Sequence, residues 1–125
     1  MRDRSLRAAL GLGLVTLVLS ACGGSKPATG LADASTLDGR ILYAANCALC
    51  HGTDLKGTPQ GPPLLDAIYR PGHHADAAFL YAVRNGVKPH HWNFGPMPPV
   101  PGLTDQQVAA IVAFVRGEQQ TVGIR

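Results

Sequence analysis

The sequence predicts an all-α fold of three to four short helices, with long loops wrapped around a bound group. Apolar residues recur at helical spacing in three segments, and no segment alternates with the two-residue period of a strand. Two Pro/Gly-rich loops, Gly52 to His74 and Val87 to Gly102, are longer than a compact domain uses unless they surround something. The 125 residues allow one domain, and at 46% hydrophobic but 6% aromatic they form neither a collagen-like nor a wholly disordered chain. Three short helices give that domain a thin core, so it needs a staple or a bound group.

The first 21 residues stand apart from the fold. Arg2, Arg4 and Arg7 form a positive head, and Ala8 to Leu19 is an apolar run of 12 residues. A spanning helix needs about 18 to 20 such residues, so the run is expected to be a secretory signal. Leu19-Ser20-Ala21-Cys22 resembles the lipobox of bacterial lipoproteins. That resemblance implies cleavage before Cys22, lipidation of its sulfur and acylation of its new amino group, an anchor of two or three chains. Setting the signal aside lowers the formal charge from +3 to +1, because Arg2, Arg4, Arg7 and Asp3 leave with it. The remaining basic residues are scattered singly, so nucleic-acid binding has no electrostatic footprint.

Residues 22–36 read as a flexible tether from lipidated Cys22, small and polar with Gly23, Gly24, Pro27 and Gly30. A dozen such residues reach about 20 Å. The domain is expected over residues 37–125. Its first helix is opened by a capping box from Ser35 to Asp38, with Leu37, Ile41, Ala44 and Ala48 at helical spacing. The second runs from about Asp76 to Arg84 with Phe79, Leu80 and Val83 apolar, and Asn85-Gly86 gives a left-handed stop. The third is capped by Thr104 in a Thr-x-x-Gln box with Gln107. Val108, Ile111, Val112 and Val115 form its stripe, and Gly117 is its expected end.

The chemistry is carried by Cys47-Ala48-Leu49-Cys50-His51, a C-x-x-C-H attachment signature of c-type haem. Two thiols three positions apart at a helix end match the two vinyl groups on one porphyrin edge. The adjacent imidazole then offers a nitrogen to the iron. A zinc knuckle would need a second ligand pair, whereas the remaining cysteine lies in the lipobox. A redox dithiol would need a βαβ context that the pattern lacks.

For the sixth iron position the residues offer Met97, the one methionine in residues 22–125, 46 positions beyond His51. Prolines 96 and 98 restrict its backbone and hold the thioether against ligand exchange. His90 or His91 is the alternative. Methionine opposite histidine raises the potential relative to two histidines, and it closes the iron to substrates. Leu64, Trp92, Phe94 and Val100 are expected to line the haem pocket and exclude water, with Trp92 or Arg70 bonding a propionate.

Over residues 37–118 the chain resembles small bacterial class I monohaem cytochromes c. The resemblance implies contact of the first and last helices through Gly39 and Tyr43 against Ile111 and Phe114. It also implies that the Pro62 carbonyl, in Gly61-Pro62-Pro63-Leu64, receives the second nitrogen of His51. The implied function is one-electron transfer by one covalent haem c at the outer face of a membrane. Expected partners are a quinol-oxidising complex, a dehydrogenase or a terminal oxidase. The rivals are a haem sensor or peroxidase with a labile sixth ligand, and a copper-handling lipoprotein. The latter would use a second metal site of His73, His74, His90 and His91, two doublets brought together by the loops.

Overall fold

A computed structural model describes residues 37–125. The expected signal, Cys22, the tether and Ser35 lie outside them. Four helices follow one another: α1 (Gly39–Asn46), α2 (Ala48–His51), α3 (Asp76–Asn85) and α4 (Asp105–Thr121), with a 3₁₀ turn at Ala67–Tyr69. Among the described residues there is no strand, only two isolated bridges, Thr58 with Gly61 and Val87 with Met97. The fold is all-α with loops wrapped around a cavity. No helix of the described residues is long and apolar enough to cross a membrane.

Two expectations for α1 are corrected. Asp38, expected inside the helix, is itself the N-cap: its Oδ1 accepts from Arg40 N at 2.9 Å and Ile41 N at 3.1 Å. Of the predicted stripe only Ala48, just beyond α1, is buried, since Leu37 and Ile41 are half exposed and Ala44 is exposed. Within α1 it is Tyr43 that turns inward, as the resemblance implies. The cause is the contact with α4. A Cβ on Gly39 would lie 2.0 Å from Ala110 O and 3.0 Å from Phe114 Cβ, so that face approaches at backbone distance. Tyr43 then packs against Phe114 at 5.4 Å between ring centroids.

α3 and the start of α4 form where expected. Gly86 takes φ 73° after α3, and the Thr104–Gln107 capping box closes in both directions. The end of α4 is a correction: it runs past Gly117 to Thr121. The reason is tertiary. Gln119 is wholly buried and donates Nε2 to Leu64 O at 2.8 Å, while Arg116 is bonded to Asp76, Tyr69 O, His74 O and Gln119. These anchors outweigh the roughly 1 kcal/mol that glycine costs inside a helix.

Candidate cofactor site

α1 ends at Cys47, whose N–H closes onto Tyr43 O at 2.8 Å, and α2 begins one residue later. This break places Cys47, Cys50 and His51 along one wall of a cavity of about 960 Å³, at the top of the size range for cofactor sites. Gly52, at φ 80°, turns the chain away, and the buried Tyr43 hydroxyl donates to its carbonyl at 2.7 Å. The loop that follows packs onto the motif. Thr58 Oγ1 donates to Cys50 O at 2.7 Å, and a Cβ on Gly61 would meet that same oxygen at 2.8 Å.

Beyond Gly61 the loop delivers the Pro62 carbonyl 2.9 Å from His51 Nδ1. A carbonyl only accepts, so Nδ1 carries the proton and Nε2 keeps its lone pair for a metal. Burial holds the His51 pKa below the ordinary imidazole value, opposed by the bond to Pro62, so the ring favours its neutral, ligating form. Cys47 and Cys50 are half-buried thiols. Burial and the neighbouring Cys50 push Cys47 up to about 11.

Met97 lines the same cavity as His51. Its backbone is held in both directions by Val87: Met97 N donates to Val87 O at 2.9 Å, and Val87 N to Met97 O at 3.0 Å. Gly86 makes this possible, since a Cβ there would lie 2.5 Å from Met97 O. The next turn is tied by Val100 N to Val83 O at 2.8 Å. Leu64, Trp92, Phe94 and Val100 all line the cavity, with Leu64 buried and Phe94 37% exposed at its rim. Arg70 is not among the lining residues, and its Nη1 reaches Ala67 O at 3.3 Å.

The residues fit a flat, largely apolar group with an acidic edge. α4 supplies an aliphatic wall of Val108, Ile111, Val112 and Val115, and Val83 of α3 adds to it. The indole Nε1 of Trp92 is buried with no partner at hydrogen-bond geometry. It faces the Tyr69 hydroxyl and opposes the rise that burial gives that phenol, but the pair falls short of hydrogen-bond geometry. An orphaned buried donor costs about 1–3 kcal/mol, and a ligand carboxylate would satisfy it.

Tyr69, Phe79 and Arg116 were missed from sequence. Tyr69 and Phe79 line the cavity, and the Arg116 guanidinium stacks 4.9 Å from the Phe79 centroid while holding the 69–74 backbone. A signal for Arg116 existed: it continues the Val108, Val112 register of α4, a charge on an apolar stripe. The two histidine doublets do meet. His90 and His91 ring centroids are 4.3 Å apart, His73 and His91 5.2 Å, and His74 and His90 5.8 Å. Partial desolvation and the neighbouring His90, His74 and His73 hold His91 below its ordinary value.

Cytochrome c-555 of Chlorobaculum thiosulfatiphilum is 33% identical over 85 residues, covering 66% of this chain and 94% of that protein. The cbb3-type cytochrome c oxidase subunit CcoP of Rhodobacter capsulatus is 35% identical over 83 residues, which cover 62% of this chain. The fructose dehydrogenase cytochrome subunit of Gluconobacter japonicus is 36% identical over 88 residues, 64% of this chain. The match spans 27% and 18% of those two longer proteins. With the family model for cytochrome c matching residues 37–118, the chain belongs to the cytochrome c family, an electron-transfer family whose cofactor is covalently bound haem c.

Proposed function

We propose that this protein is a membrane-tethered one-electron carrier, with Cys47 and Cys50 holding haem c through thioethers and His51 and Met97 as its axial ligands. The observation that carries the reading is that His51 and Met97 line one cavity, each held by its backbone surroundings. Bound haem supplies the Fe(II)/Fe(III) couple. Around it, the Pro62 carbonyl fixes the tautomer of His51 and increases its donation. The bridge to Val87 and the flanking prolines hold Met97 in place through both oxidation states. Leu64, Val100 and the α4 wall exclude water, and Trp92 Nε1 supplies a donor to a propionate.

Leu19-Ser20-Ala21-Cys22 supports export, lipidation at Cys22 and residence in the periplasm or at the outer face of the cytoplasmic membrane. Relatives named as oxidase and dehydrogenase subunits support donors and acceptors of those classes, alongside a quinol-oxidising complex. Contacts of this kind are small and transient. The reading is tested by exposing the reduced holoprotein to carbon monoxide, and the oxidised form to quinol-driven membranes. We expect no carbon monoxide adduct and rapid reduction by the membranes. Adduct formation by the wild type, as for a sensor or peroxidase, would overturn it.

A further inference from the structure

We propose that His73, His74 and His91, with His90 beside them, form a binding site for a divalent transition ion, Cu²⁺ or Zn²⁺, at the mouth of the cavity. The donors come from two segments 16 residues apart, the loop before α3 and the loop after it. His73 Nε2 and His91 Nε2 lie 3.3 Å apart. Two imidazole nitrogens on one tetrahedral ion, each at about 2.0–2.1 Å from it, are separated by about 3.3 Å. One ligand atom from each of His73, His74 and His91 lies within 4.8 Å of the others. The His73 and His91 rings are exposed, which leaves room for them to turn toward one ion.

Two histidines have the backbone partners that orient metal ligands. His74 Nδ1 donates to Ile68 O at 2.8 Å, and His90 Nδ1 to Lys88 O at 3.0 Å, so each keeps an Nε2 lone pair. The scaffold is held from behind, because Arg116 donates to the His74 carbonyl and pairs with Asp76 at 2.8 Å. On the other side, the bridge of Val87 to Met97 closes the loop that carries His90 and His91.

A role at the haem edge does not account for the cluster. His74, His90 and His91 line the cavity, but His73 does not, so the donor set extends outside the cofactor's pocket. Neutral imidazoles suit copper and zinc, and copper binds such sites more tightly by the general affinity order.

The test titrates the haem-loaded protein with Cu²⁺ and, separately, with Zn²⁺, by calorimetry and by metal analysis after dialysis. We expect one ion per chain in each case and nitrogen splitting in the Cu²⁺ EPR spectrum. His73→Ala should weaken binding about tenfold or more, and His73→Ala/His91→Ala should remove it, since even outer partners contribute that much. The haem spectrum of His73→Ala should match the wild type, which separates failure here from failure of the axial assignment. Equal affinity in wild type and His73→Ala, or no retained ion in the wild type, would overturn the site. So would loss of the sixth haem ligand in the double variant.

Discussion

At Gly39 there is no room for a methyl group, whereas at Gly117 nothing lies within 4 Å of a built Cβ. The two glycines therefore predict opposite outcomes. Gly39→Ala should destabilise the holoprotein by about 2 kcal/mol or more through a clash with the Ala110 carbonyl. Gly117→Ala should stabilise it by about 0.5–1 kcal/mol as an open helix position. Thermal unfolding of both variants checks the pair. Trp92 gives a second test at this scale. If its indole donates to a propionate, Trp92→Phe should cost about 0.5–1.5 kcal/mol in denaturant unfolding of the holoprotein. Unchanged or increased stability would mean that the donor stays orphaned. That Cys47, Cys50, His51 and Met97 would line one cavity was legible, because each is marked by its neighbours within a few residues. Trp92 was read as a propionate donor, but that its nitrogen is buried beside Tyr69 without a hydrogen bond depends on how the loops pack.

The helices divide by how local their signals are. The Thr104–Gln107 box and the Gly86 stop were readable because both partners lie within one turn. Thr104→Ala should accordingly cost about 1 kcal/mol by calorimetry. The inward face of α1 was legible only in part: the stripe of Leu37, Ile41 and Ala44 lies outward, whereas Gly39 and Tyr43, named through the resemblance, turn toward α4. Only the backbone contact of Gly39 with α4 decides between them. The last turn of α4 was missed for a similar reason, since its anchors are Leu64 O, Tyr69 O and His74 O, far off in the chain. Arg116→Ala should destabilise the protein by about 2–3 kcal/mol, as hydrogen bonds from a charged donor are lost. It should also loosen the 69–74 segment, seen as faster amide exchange there.

At the scale of the whole molecule, the buried residues form the wall of a cavity more than a centre of their own. Tyr43, Leu64, Val83 and Val108 belong both to the core and to the cavity lining. Helices of 8, 4, 10 and 17 residues are marginal alone in water. A double Cys47→Ala/Cys50→Ala variant without haem should thus lose most of its helical circular dichroism. The thin core and modest aromatic content visible in the sequence have the same origin: the bound group completes the interior. The proposed ligation by His51 and Met97 is reached most directly by a potentiometric titration of wild type and Met97→Ala, followed by optical and EPR spectra. Ligation by His51 and Met97 predicts one reversible one-electron transition with low-spin iron in the wild type. It predicts a lower potential and a high-spin ferric signal in Met97→Ala. A variant with the wild-type potential and spin state would contradict it.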